Sequence, residues 1–185
     1  GNYLIHPVKV PSHITLLGYS AWAYANKDKK DKDYIGKTIP TAQSGDARAL
    51  LDLGSNRGIR IIGLTLDGKQ VGKRMHGVYA RHMGCEQHNN IEDCRIQNFS
   101  GSGIRLERSW VFSVRRCLLM FNQEHGVDIT GGYDGWIIDN QLTANKGFGL
   151  FARGEPHHEK TEEEIKDLKF FGGASVMVTA NRIEW

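Results

Sequence analysis

Cys94, Cys117 and Asn140 lie 23 residues apart, and so do Gly103, Gly126 and Gly149, each nine residues further on. A period near 23 with short apolar pairs at fixed offsets restricts the chain to a wound solenoid whose turns repeat one three-sided cross-section. The register holds elsewhere. Ile91, Val114, Ile137 and Val178 stand three residues before Cys94, Cys117, Asn140 and Asn181, and Ile96, Leu119, Leu142 and Ile183 stand two residues after. The glycines lead into Ile104-Arg105-Leu106, Val127-Asp128-Ile129 and Leu150-Phe151-Ala152. Each coil therefore reads strand, tight turn, strand, looser turn, strand.

Two longer intervals are the same coil with inserts. Leu64 to Cys94 spans 30 residues, with the extra seven falling around 69 to 75 and 82 to 89; Asn140 to Asn181 spans 41, with the extra 18 inside 154 to 173. Insertions of this kind collect in loops at the edges of solenoids. The reading is a single domain over 1–185 of about six coils, with loop inserts at 19–48 and 154–174. A partial first coil (strands at 7 to 11 and 14 to 18) precedes the long excursion, and regular strands restart at Ala49. The charge run Lys27 to Asp33 suits a solvated loop, and Trp22 and Tyr24 before it suit packing on a coil or a sugar platform. Thr161, three glutamates behind it and Lys169 at the far end predict a short helix at 161–169.

At 185 residues, 39% hydrophobic and 24% charged, the chain is long enough for one substantial core. Twenty-two glycines against four prolines fit a fold with many turns. No apolar run approaches the roughly 18 residues of a membrane span, and the net charge of +3 is too small to argue for nucleic acid. Three cysteines do not make a disulfide framework. Cys94 and Cys117 occupy equivalent turn positions on consecutive coils, about 4.8 Å apart, as buried reduced thiols, and Cys85 is expected as an unpaired thiol in a loop. Trp185 follows a strand with no visible cap, so the chain reads as part of a longer solenoid, or one capped by flanking coils or homo-oligomer contacts.

The strings Gly58-Ile59-Arg60-Ile61-Ile62-Gly63-Leu64-Thr65-Leu66-Asp67-Gly68, Asn90-Ile91-Glu92-Asp93-Cys94-Arg95-Ile96 and Trp136-Ile137-Ile138-Asp139-Asn140-Gln141-Leu142 resemble the right-handed parallel β-helix repeats of pectate-lyase-like proteins. The resemblance covers most of residues 49 to 185. It implies that the Cys94, Cys117, Asn140 and Asn181 position is the tight-turn ladder between the second and third sheets. The glycine-led strands then form the first sheet, where such proteins bind extended polysaccharides, and secretion or cell-surface location is implied as well.

Alternation along these strands sends Val78 and Ala80, Ile104 and Leu106, Val127 and Ile129, and Leu150 and Ala152 inward. Outward stand one row of Asp52, Tyr79, Arg105, Asp128 and Phe151, and a second of Arg81, Glu107, Thr130 and Arg153; His76 and His125 precede the glycines. Arginines favour carboxylates through paired hydrogen bonds, so the expected ligand is an acidic, uronate-containing polysaccharide. In a lyase-type elimination, the favoured chemistry, Arg81, Arg105 or Arg153 would neutralise the uronate carboxylate, Tyr79 or His125 would move protons, and Glu107 with Asp128 could hold a calcium ion. Arg81, Arg153, His76 and Phe151 would bind substrate. A glycoside hydrolase needs two carboxylates about 5 to 9.5 Å apart, and Glu107 with Asp128 is the pair available. Against both stands a noncatalytic binding or structural module, surface or tailspike-like, in which Arg105 and Asp128 are a surface ion pair; the outward position of Arg105 implies in either case that Arg105→Ala folds normally. The Asn-Thr-Asp and paired-aspartate motifs of polygalacturonase-like hydrolases are absent, and Glu155-Pro156-His157-His158-Glu159 is only loosely similar to the Asp-Pro-His-Glu segment of mannuronan epimerases.

Overall fold

A computed structural model of the chain describes residues 2–19, 39–83, 88–154 and 176–184. Within them three parallel sheets run the length of the molecule. The first contains β2 (Val8–Lys9), β5 (Ala49–Gly54), β8 (His76–Arg81), β11 (Ile104–Glu107), β14 (Val127–Thr130) and β17 (Leu150–Arg153). The second contains β3 (Thr15–Leu17), β6 (Arg60–Ile62), β9 (Asn89–Glu92), β12 (Phe112–Arg115), β15 (Gly135–Ile138) and β18 (Val176–Thr179). The third has seven strands: β1 (Asn2–Ile5), β4 (Ile39–Ala42), β7 (Thr65–Asp67), β10 (Arg95–Gln97), β13 (Leu118–Met120), β16 (Gln141–Thr143) and β19 (Arg182–Glu184). The chain visits first, second and third sheet in turn, so each strand pairs with its equivalents on the adjoining coils, on one side only at the two ends.

The register is the one the 23-residue period demands. Ile91, Val114, Ile137 and Val178 stack in the second sheet, and Ile96, Leu119, Leu142 and Ile183 in the third. Val78, Ile104 and Val127 stack in the first, beside Ala80, Leu106 and Ile129. These first-sheet residues are buried and belong to one continuous core. Full burial of each branched side chain contributes about 1.5 to 3 kcal/mol. In the last coil Leu150 is only partly covered and Ala152 is exposed, because no further described strand lies over them.

The corner between the second and third sheets is where the repeat is most demanding. Gly63, Asp93, Arg116, Asp139 and Ala180 all have left-handed backbone, with φ between 49° and 68°. The residue after each points into the core, where turn amides would otherwise be orphaned. Asn140 Oδ1 accepts the Cys117 N–H at 2.9 Å while its Nδ2 donates to the Val114 carbonyl at 2.9 Å. Asn181 repeats this toward Asn140 and Ile137. The Cys117 thiol donates to the equivalent Ile91 carbonyl, and the Cys94 thiol to that of Ile61, each at 3.5 Å. Both cysteines are free and fully buried, and burial pushes the Cys117 thiol well above its usual range. They act as small core residues with a weak donor.

A second ladder was not read from the sequence. At the corner between the third and first sheets, Asn122 Oδ1 accepts the Phe99 N–H at 3.1 Å, and Asn145 Oδ1 accepts the Asn122 N–H at 3.2 Å. The signal was present, since 99, 122 and 145 carry the same 23-residue spacing. The expected loop over 19–48 is shorter than the sequence suggests, because Ile39–Ala42 pairs with β1 and touches β7 through Thr41 and Asp67. Pro40 disguised it, a proline being a poor sign of an interior strand. The predicted helix at 161–169, Cys85, Trp22, Tyr24, the 27–33 charge run and the 155–159 segment lie outside the described residues.

Leu106→Asp or Ile129→Asp puts an unpaired charge into the sealed core. Either variant is expected to be insoluble or to lack a cooperative melting transition by circular dichroism. A soluble, cooperatively melting protein would refute the inward register.

Candidate functional site

The outward face of the first sheet assembles the row Asp52, Tyr79, Arg105, Asp128 and Phe151 in direct register, and beside it the row Arg81, Glu107, Thr130 and Arg153. Parallel pairing makes these neighbours although they lie 23 or more residues apart in the chain.

Arg105 is the hub. Its Nε donates to Glu107 Oε1 at 2.7 Å on the same strand, and its Nη1 donates to Asp128 Oδ2 on the next coil. Tyr79 donates its hydroxyl to Glu107 Oε2 at 2.8 Å, and Arg81 approaches the same carboxylate at 3.8 Å. Although outward, the hub is not open: the side chains of Arg105 and Asp128 are 12% and 4% exposed. Asp128 Oδ1 is buried with no hydrogen-bond partner among the described residues.

The two carboxyls are driven apart electrostatically. Burial acts to raise Glu107, but hydrogen bonds from Arg105 and Tyr79 and the charges of Arg105 and Arg81 outweigh it and hold Glu107 below its usual range. For Asp128 burial wins over Arg105, His125 and Arg153, and its carboxyl is raised. Tyr79 is pushed up to about 12 by burial and by donating to the Glu107 carboxylate. It is a protonated hydrogen-bond donor at neutral pH. The Arg105 guanidinium lies between Glu107 and Asp128, so this pair does not make a calcium site; among the described residues no group of three or more His, Cys, Asp or Glu side chains could hold a metal.

The histidines are built into the corner where the chain enters the first sheet. His76 Nδ1 accepts the Ser102 N–H at 2.9 Å, and His125 Nδ1 accepts the Phe148 N–H at 2.9 Å. Both rings lie where the following coil has a glycine. A Cβ on Gly101 would stand 2.6 Å from His76 Nδ1, and one on Gly147 2.6 Å from His125 Nδ1. His76 is buried, and its ring centroid is 6.3 Å from that of Tyr79. Arg74 reaches across the Gly101 coil to Glu124 at 2.6 Å, and Glu124 also accepts from the Ser102 hydroxyl at 3.3 Å. His125 stacks on Phe151 at 4.7 Å and Phe148 at 5.6 Å with rings within 13° of parallel. On the opposite flank Arg153 donates to Thr130 Oγ1 at 3.1 Å. Arg48 pairs with Asp52 at 3.0 Å and lies 4.2 Å over the Tyr79 ring.

The structure thus joins Arg105, Glu107, Tyr79 and Asp128 into one bonded cluster, with Arg81 at its edge. His125 and Phe151 form a separate aromatic group, and His76 is sealed beneath the surface. Sequence reasoning missed Arg48, which pairs with Asp52 of its own coil and covers Tyr79 of the next, and Arg74 and Glu124, which meet from different coils.

Comparison with protein families finds a match of residues 76–184 to the right-handed β-helix region, more than half of the chain. The chain belongs to this family, and the placement agrees with the pectate-lyase-like superfamily. Neither the curated proteins nor the solved structures contain a significant match. Among the described residues no helix is long and apolar enough to cross a membrane.

Two predictions follow from the bonding. Arg105→Ala leaves a buried carboxyl unpaired, a loss on the order of 1 to 3 kcal/mol. The expected outcome is a folded protein with a lowered urea midpoint, more than an outward position alone implies; an unchanged midpoint would show that the hub is loosely held. His76 is lowered from 6.5 to about 4, chiefly by burial, with Arg105 and Arg74 adding to the effect against Glu124. The unfolded chain therefore binds this proton first. Stability present above pH 6.5 is lost as pH falls toward 4, by about 3 kcal/mol. Thermal melts of wild type and His76→Gln across that window should converge as pH falls, and parallel curves would exclude His76 as the cause.

Proposed function

We propose that the first-sheet face binds an acidic, uronate-containing polysaccharide. The observation that carries this reading is the row Arg81, Glu107, Thr130 and Arg153, in which two exposed guanidiniums stand three register steps apart, about 14 Å at ordinary strand spacing. A regular polyanion offers carboxylates at repeating intervals to such forks, and the His125, Phe148 and Phe151 stack supplies an apolar surface at the end of the face. Binding is favoured over lyase-type elimination. Arg105 is already engaged by two carboxylates, and Tyr79 holds its proton at neutral pH.

The opposed shifts of Glu107 and Asp128 support a second reading, hydrolysis. Asp128 with its raised carboxyl would serve as the proton donor and Glu107 as the charged partner, since two carboxyls pushed in opposite directions are how acid and base roles are divided.

The test is a scan of the purified chain against alginate, pectate, glycosaminoglycan and neutral glycans, with binding, reducing-end release and absorbance near 235 nm read together. Binding to one uronate polymer, weakened roughly tenfold by Arg81→Ala or Arg153→Ala and by added salt, is the expected result. Growth at 235 nm would restore the lyase, reducing ends lost in Asp128→Asn would establish the hydrolase, and no binding to any acidic polymer would overturn the proposal.

A further inference from the structure

The corner leading off the first sheet carries an aromatic pair that the acidic-ligand reading does not use. Trp110 and Tyr133 occupy equivalent positions on consecutive coils, joined by an isolated parallel bridge. Their ring centroids are 5.5 Å apart with planes at 49°. Away from the first and last coils, Trp110 and Phe121 are the exposed large apolar side chains among the described residues. Trp110 alone of the two has a second ring against it and a polar anchor: its Nε1–H donates to Asp134 Oδ2 at 2.8 Å.

The backbone beneath is held by other coils. Trp110 N–H donates to Met83, Tyr133 N–H to Ser109 and Val111 N–H to Tyr133, at 2.9 to 3.1 Å. It is also strained. Val111 and Asp134, directly after the two aromatics, have φ of 46° and 48°, and a left-handed β-branched residue is a genuine outlier. Left-handed residues recur at other corners of the coils, Asp93, Arg116 and Asp139 among them, so the turn holds the backbone beneath the aromatic pair without itself marking a site.

We propose that Trp110, Tyr133 and Asp134 form a stacking platform for a neutral pyranose residue. An indole face offers a large rigid apolar surface for the C–H face of a sugar ring, and the Asp134 carboxylate beside it accepts from sugar hydroxyls. Charge selects the class. The exposed Asp134 carboxylate lies at the platform and disfavours a uronate there, whereas Glu107, three residues before Trp110, is already taken up by Arg105 and Tyr79. The proposal rests on the carbohydrate reading of the adjoining face and divides its ligand: charged residues over the arginine row, neutral residues at the corner.

Saturation-transfer NMR and tryptophan fluorescence titrations with neutral cello-, manno- and galacto-oligosaccharides test it directly. The wild type is expected to bind at least one series with a change in indole emission. Trp110→Ala should weaken that binding about tenfold or more with unchanged melting, and Trp110→Phe should retain part of it. If Trp110→Ala does not fold, Trp110→Phe and Tyr133→Ala carry the comparison. No contact with any neutral series, or equal affinity in wild type and variants, overturns the platform. Acidic polymers run in parallel report on the arginine row by itself, so neutral binding with no acidic binding would sink that reading and leave this one standing.

Discussion

Every coil of this protein turns three corners with its backbone close to a sealed apolar interior, and the amides at those corners must find partners there. That requirement, met by Asn140 and Asn181 on one ladder and by Asn122 and Asn145 on the other, sets everything else. A ladder side chain bonds the backbone of the coil before it and so locks the register between neighbours. Cys94 and Cys117 fill the same position with a smaller, weaker donor. Once register is locked, the outward residues of the first sheet have no choice of neighbour.

That imposed adjacency creates the chemistry of the face. Arg105 meets Asp128 because they are register partners, and meets Glu107 because residues two apart on a strand share a side. The result is largely self-neutralised. One guanidinium between two carboxylates, with Tyr79 donating to one of them, leaves the interior of the face rigid and its margins, Arg81 and Arg153, turned to solvent. A surface built this way suits recognition of an extended ligand by repetition more than attack on a single bond. The same burial that stiffens it separates the proton affinities of Glu107 and Asp128.

The histidine corner shows how one side chain is accommodated by its neighbour's absence. His76 and His125 each lie against a glycine of the next coil, and each uses Nδ1 to take up the next coil's amide. Their first role is structural. For His76 that role comes with a burial that resists protonation, which ties the stability of the corner to pH.

The 23-residue period, the inward set typified by Leu106 and Ile129, and the two outward rows were legible in the sequence, because a solenoid repeats one cross-section and strand alternation assigns each side chain a face. The strand at Ile39–Ala42 was hidden by Pro40, and the Asn122 and Asn145 ladder by its single pair of repeats. Which outward groups bond, how deeply Asp128 and His76 are buried, that Arg74 reaches Glu124 across a glycine, and that Trp110 rests on Tyr133 with its N–H on Asp134 were decided only by the tertiary structure. Periodicity places residues in rows. Bond partners and proton affinities depend on side-chain reach and on the solvent excluded by adjacent coils, which no one-dimensional pattern contains.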